Sequence, residues 1–348
     1  MRRPATWLAV GVVLLVGVAA AADAVRKKAS KPEVVPTTTA TAGTTLPATP
    51  ATGLNGRLFY TDEPCRLVAR QLPDLQRVQA PTWNECGFSL SDDAQRVAAE
   101  GFTWHPGGSV RASQSEASVV VVLQEGSSES SYTFGGSAPS FSPQARLTFA
   151  SGTEVRVMDA GCPLLLSDEP LVPPRAIRRC SSVVLPREAV ERAARRHPSF
   201  DRATGFLSVS IRETVWLGAQ QGPTLLAALL RLRTRTAEEF DLIGLFERGS
   251  IAETLALFET AKGLEASPGG SFLGVQREGG GVLLFDRNGF SLALPNLREA
   301  REFAWSPDES WVAIATPSEV FLVTTKAPTP LVRELDLVAA DIAWAGEP

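Results

Sequence analysis

The chain is poor in the residues that metal sites and common hydrolases need. Its 348 residues include two histidines, His105 and His197, and four cysteines, none in C-x-x-C spacing. A zinc site draws on several closely spaced Cys and His ligands, so this composition argues against one. There is no G-x-S-x-G elbow, no phosphate-binding P-loop and no Rossmann glycine pattern; Gly279-Gly280-Gly281 reads as a hairpin turn. Asp92-Asp93 and Asp308-Glu309 lack the alternating oxygen ligands of a calcium loop. His105 lies in the turn-like Thr-Trp-His-Pro-Gly-Gly and His197 precedes Pro198, neither within a recognisable nucleophile–base motif. The sequence therefore nominates no catalytic residue, no metal ligand and no cofactor.

Positive charge is also scarce where it would matter for nucleic acid. The formal net charge is −4, but residues 1–31 hold six basic residues and one acidic one. Removing them leaves 28 basic against 37 acidic residues, about −9 for the remainder. Phosphate backbones repel such a body, which excludes nucleic acid as the expected partner.

The N-terminus carries the one long apolar run. Met1-Arg2-Arg3 precedes Trp7–Ala22, and Arg26-Lys27-Lys28 follows. Pro4 to Val25 approaches the ~20 residues that span a bilayer as a helix. Residues 1–29 read as a cytoplasmic stub and single-pass anchor, because a basic cluster just after a cleavage site disfavours translocation. The alternative is a signal peptide cleaved at Ala22-Asp23-Ala24, giving a secreted protein. Residues 30–55 are rich in Thr, Pro and Ala without periodicity, the composition of an unfolded linker. Stalks of this kind suit the outer side of a membrane, so the expected location is the cell membrane with an extracytoplasmic C-terminal domain. Cys65, Cys86, Cys162 and Cys180 form two sequence-local pairs, read as disulfides of an oxidising compartment.

Residues 56–348 contain a weak repeat, clearest at 140–159, 265–286 and 304–325. Each copy has a Ser-Pro turn, an apolar strand, a polar or Gly-rich turn and a second apolar strand. From Ser142, Ser267 and Ser306 the second strand begins 13, 15 and 14 residues later, at Val155, Val282 and Val320. Proline fixes φ in the turn and cannot sit in a central strand, so it marks a strand end. Strands such as Val320–Val323 are apolar on both sides, as strands stacked between neighbouring sheets must be. An aromatic before the turn marks the phase. Inner strands are expected near Phe88, Phe141, Trp216, Ala266, Trp305 and Trp344. Trp344 has four residues after it, too few for a blade, and the strand after Gly56 reads as its continuation.

The expected fold is all-β, a single β-propeller of six blades (seven being the alternative) closed by pairing the two ends of the domain. Trp305-Ser306-Pro307-Asp308 resembles the aromatic-Ser-Pro-Asp-Gly blade motif of WD40-like, TolB-type propellers, with Glu309 in place of glycine. Ser267-Pro268-Gly269-Gly270 and Ser142-Pro143-Gln144-Ala145 match in part. The resemblance covers about 265–348 well and 139–160 fairly. It implies the fold and, for TolB, periplasmic protein binding; no hydrolase domain follows.

A helical excursion interrupts the repeat at about 160–205. Pro186 opens Arg-Glu-Ala-Val-Glu-Arg-Ala-Ala-Arg-Arg-His, with Ala189, Val190, Ala193 and Ala194 as its packing stripe. A Cys162–Cys180 bridge would staple it, and Cys65–Cys86 would tie the terminal blade to its neighbour. Arg175, Arg178, Arg179, Arg192, Arg195 and Arg196 gather here as a candidate partner-binding patch. Arg231, Arg233 and Arg235 alternate on an expected outer strand. The functional expectation is a non-catalytic binding or scaffold module for a cell-envelope protein or polymer, tethered to the membrane through its N-terminal helix. The alternative is a propeller hydrolase or lyase acting on a small molecule or glycan. That reading requires inward-pointing carboxylates or a metal at the central channel.

Overall fold

A computed structural model describes residues 54–346 apart from 63–64, 160–161, 163–171, 199, 201–205, 207, 219–223, 258–259, 293–298 and 326–329. The expected anchor, nearly all of the linker and the first part of the excursion lie outside the described residues. Among the described residues no helix is long and apolar enough to cross a membrane.

The sheets are consecutive antiparallel meanders. Blade 1 joins the two ends of the domain, in the order β25 (Ile342–Ala345), β1 (Arg57–Asp62), β2 (Arg66–Gln71), β3 (Gln76–Val78). A two-stranded ribbon follows, β4 (Phe88–Leu90) and β5 (Val97–Ala99). Blade 2 is β6 (Phe102–Trp104), β7 (Val110–Ser115), β8 (Ser118–Glu125) and β9 (Ser128–Gly135). Blade 3 is β10 (Ser137–Phe141), β11 (Leu147–Ser151), β12 (Glu154–Met158) and β13 (Ser181–Leu185). Blade 4 is β14 (Ser208–Leu217), β15 (Leu225–Arg233), β16 (Glu239–Glu247) and β17 (Ser250–Leu257). Blade 5 has three strands among the described residues, β18 (Ala261–Ala266), β19 (Phe272–Arg277) and β20 (Val282–Asp286). Blade 6 is β21 (Glu302–Trp305), β22 (Trp311–Ala315), β23 (Val320–Thr324) and β24 (Val332–Leu335).

Six blades stand as expected, although not from the six expected inner strands. Phe88 belongs to the ribbon, and the inner strand of blade 2 is instead Phe102–Trp104, whose turn opens with His105 rather than serine. The ribbon nevertheless carries the turn that closes the inner hairpin of full blades. In that turn the first residue's N–H bonds the carbonyl beyond the turn, and the fourth residue's N–H returns to the first residue's carbonyl. It recurs at Ser91, His105, Ser142, Ser267 and Ser306. The fourth residue always takes positive φ: Ala94 (56°), Gly108 (67°), Ala145 (58°), Gly270 (69°) and Glu309 (57°). Glu309 thus occupies a glycine conformation, which costs an L-residue of order 1 kcal/mol.

Burial follows the alternation that stacked sheets impose. Every residue of β22 is buried: Trp311, Ala313 and Ala315 pack with Leu58, Tyr60 and Trp344 of blade 1. Val312 and Ile314 pack the other way, with Phe272 and Leu284 of blade 5. Fully burying a Val or Ile side chain stabilises by roughly 1.5–3 kcal/mol, so neither face of β22 tolerates water. Only closure of the ring shields both. That closure is explicit: Arg57, Leu58, Phe59 and Tyr60 pair with Ala345, Trp344, Ala343 and Ile342. The Trp344 indole N–H donates to the Asn55 carbonyl at 2.9 Å. At Gly56, φ is 95° and a Cβ would lie 2.4 Å from the Ala345 carbonyl oxygen, so glycine is required there.

Two short helices flank β13. Helix α1 (Pro174–Arg179) packs on β9 and β13, and α2 (Arg187–Ala194) on β16 and β17. Pro186 caps α2 rather than entering its first turn, and Ala189, Val190, Ala193 and Ala194 are its buried stripe. Both disulfides join the expected partners, Cys65–Cys86 and Cys162–Cys180. The excursion is less irregular than expected, since β13 within it completes blade 3. The expectation for Arg231 needs correcting, because β15 is the second strand of blade 4 and not an outer one. Arg231 forks onto the fully buried Asp241 carboxylate and also reaches Glu239 at 3.1 Å. Asp241 in turn accepts the Ala261 N–H at 2.6 Å, tying blade 4 to the inner strand of blade 5.

Candidate functional site: the acidic channel mouth

The inner strands of all six blades and the ribbon surround a central cavity of about 750 Å³. Their phase residues are Trp104, Phe141, Trp216, Ala266, Trp305 and Trp344. Three residues before Trp216, Trp305 and Trp344 stand Glu213, Glu302 and Asp341; at the matching place before Trp104, Phe141 and Ala266 stand Gly101, Ala138 and Gly263. Glu265 and Glu100 also line the cavity, as does Lys262. Five carboxylates from five inner-strand segments therefore gather at this cavity, with Lys262 and Arg212 as the cations among its described lining residues.

Their partners separate architecture from function. An inner strand has one edge without a neighbour, and its N–H groups need acceptors. Glu213 reaches across to the next blade and accepts the Leu264 N–H at 2.6 Å, while Gly263, having no side chain, leaves it room. Asp341 accepts the Phe88 N–H of the ribbon at 2.9 Å and its neighbour's N–H, that of Ile342, at 3.0 Å. Glu302 accepts from Lys262 at 2.9 Å and from the Gln276 amide at 2.8 Å. Lys262 also lies 3.4 Å from Glu100. Glu265 has no hydrogen-bond partner among the described residues, and its carboxylate is open to the channel.

Crowding of like charge in a ring of protein alters these groups. Desolvation by the surrounding blades, then repulsion from Glu302, Glu213 and Asp341, pushes Glu265 up to about 8. Desolvation likewise carries Glu213 to about 7, against the Leu264 hydrogen bond that favours its charged form. Glu302 and Asp341 are raised for the same first reason. Lys262 loses some basicity to desolvation but gains more from Glu302 and Glu100, and remains an ammonium. An entering cation would relieve this mutual repulsion and favour the ionised carboxylates. Among the described residues no group of three or more His, Cys, Asp or Glu is disposed to hold a metal ion.

The sequence-predicted arginines lie elsewhere. Arg175, Arg178 and Arg179 are on α1, Arg192 is on α2, and Arg195 and Arg196 follow at its end, all exposed on the outer rim. None faces the channel. His197 is a core residue, 2% exposed and packed on Phe240 and Phe206, with its pKa lowered by burial. His105 is the first residue of the blade 2 turn.

No protein family and no curated protein matches the chain by sequence. Solved structures similar to it include TolB from Acinetobacter baumannii (17% identity, TM-score 0.40), covering 84% of this chain and 67% of that one. A second is the Cps50 (Swd1) β-propeller domain of Myceliophteria thermophila (13% identity, TM-score 0.39), covering 83% and 88%. A third is the dihydro-heme d1 dehydrogenase NirN (9% identity, TM-score 0.43), covering 83% and 75%. At these scores the propeller rests on the strand pairing itself.

Proposed function

We propose that the chain is a membrane-tethered, extracytoplasmic propeller that binds a cell-envelope protein without catalysis, taking a basic segment of that partner at the channel mouth. The observation that carries this reading is the convergence of Glu100, Glu213, Glu265, Glu302 and Asp341 on a cavity whose lining cations, among the described residues, are Lys262 and Arg212. Such a mouth attracts lysine or arginine side chains and repels nucleic acid and acidic polymers. Two disulfides favour an oxidising compartment, and the apolar run Trp7–Ala22 supplies the tether, or a cleaved leader in the secreted alternative.

The carboxylates that a propeller hydrolase or lyase would require are present, but their bonding disfavours that use. Glycoside hydrolysis employs two carboxyl groups facing the substrate. Here Glu213 and Asp341 hold backbone N–H groups and Glu302 holds Lys262, which leaves Glu265 alone without a partner among the described residues.

A photocrosslinking residue at Glu100 in the full chain, expressed in its own cells, tests the proposal. The expected product is an adduct with one envelope protein through a Lys- or Arg-bearing peptide, diminished by Glu265→Gln. Adducts from a probe at rim residue Val183 with none from Glu100 would overturn the proposed site.

A further inference from the structure

The outer rim of blades 2 to 4 carries a charge opposite to that of the body it belongs to. Helix α1 lies against β9 and β13, and α2 against β16 and β17. Since β9, β13 and β17 are the outermost strands of their blades, both helices sit on the outer wall of the ring. The six arginines they and the end of α2 carry are exposed, and none forms an ion pair among the described residues. Arg187, by contrast, is satisfied by Glu191 at 2.6 Å. Arg195 and Arg196 follow Arg192 by three and four positions, just past the last residue of α2, and all three are exposed while Ala189, Val190, Ala193 and Ala194 are buried. Between the two helices β13 presents Val183, 44% exposed.

We infer that this rim docks on the phosphate-bearing surface of a bilayer, holding the tethered ring edge-on. Three features select that occupant. Guanidinium groups fork onto phosphate oxygens better than any other side chain. The net charge of about −9 beyond Lys31 makes the rest of the domain avoid an anionic surface, so the arginine rim is the face that can approach it. The 53 residues preceding the described domain contain the apolar run Trp7–Ala22, which would keep a bilayer within reach. An edge-on ring lays its channel axis along the membrane plane and leaves the acidic mouth open from the side. This inference rests on the membrane-tethered reading above.

The test uses the full chain reconstituted in vesicles, with amide exchange followed over residues 174–196. Vesicles of phosphatidylcholine alone are compared with the same lipid mixed with phosphatidylglycerol at about three to one. Each arginine near an anionic surface favours the docked state about five-fold, so three contribute about 100-fold. The expected result is slowed exchange in the anionic vesicles only, relieved by high salt and abolished in R192Q/R195Q/R196Q. Equal exchange in both lipids, with the chain floating on the vesicles, overturns the docking and leaves the tether standing. A chain that floats with neither removes the tether and the docking together. Slowing by soluble polyphosphate but not by anionic vesicles would overturn the bilayer as occupant.

Discussion

Replacing Asp241 by alanine should be the most damaging single change at the junction of blades 4 and 5. The carboxylate is fully buried, and its partner Arg231 is 13% exposed. Two bonds tie the pair, and a third bond takes the Ala261 N–H at 2.6 Å where blade 5 begins. Removing the carboxylate strands a guanidinium in a nearly dry site and orphans a backbone donor. Breaking a buried pair from one side costs about 3–5 kcal/mol, of which the orphaned N–H accounts for about a third. Glu239, 3.1 Å from Arg231 but exposed, recovers part of the loss. A net cost of about 3 kcal/mol lowers Tm by roughly 6–9 °C in a domain of this size. Asp241→Asn keeps an acceptor for Ala261 and should fall between wild type and alanine. Urea titration with calorimetry measures all three. A loss below 1 kcal/mol for Asp241→Ala would refute the reasoning that this carboxylate joins blades 4 and 5.

Gly56→Ala should destabilise by at least about 2 kcal/mol, because a positive φ and a collision with the Ala345 carbonyl coincide at the seam; Gly101→Ala, also at positive φ but with nothing within 4 Å, should cost about 1 kcal/mol by the same thermal melt. Burial opposes ionisation of Glu309, but bonds from the Ser267 hydroxyl and the Ser271 N–H prevail and hold its pKa below 4.5. A depressed carboxylate contributes stability above its unfolded value and forfeits it as pH falls through the folded value. Wild type should therefore lose its advantage over Glu309→Gln in acid melts below about pH 4.5. Glu265 has the opposite sign: raised from 4.5 to about 8, it makes the fold less stable as pH climbs across that window. Glu265→Gln should match wild type below pH 4.5 and exceed it in melting temperature above pH 8, an advantage that constant differences across pH would contradict. Replacing Cys162 and Cys180 by serine should cost about 3 kcal/mol for the 18-residue separation, read as a shifted denaturant midpoint.

Sequence periodicity exposed what depends on local chemistry. Trp344 carries the phase aromatic of an inner strand and Arg57–Tyr60 the apolar strand after Gly56, and the two pair. The helix stripe Ala189, Val190, Ala193 and Ala194 was legible because 3.6-residue spacing translates directly into burial. The inner strand of blade 2 escaped notice because its turn opens with His105 instead of serine, although Trp104-His105-Pro106-Gly107-Gly108 folds the same way. Blade 4 has the longest strands of the ring yet no Ser-Pro turn between β14 and β15, so its register showed only in apolar content. The channel mouth was hidden for a different reason. Glu100, Glu213, Glu265, Glu302 and Asp341 are up to 241 positions apart, and only ring closure brings them together. The acid three residues before Trp216, Trp305 and Trp344 was the available signal; nothing local marks Glu265.

Native-state hydrogen exchange of β25 and β1 probes the ring most directly. If the ends of the domain seal it, backbone amides bonded between Arg57–Tyr60 and Ile342–Ala345 open only with global unfolding, at the same free energy as those of β22. Exchange of β25 at the rate of a frayed terminus, while β22 stays protected, would mean an unsealed ring and no defined channel mouth.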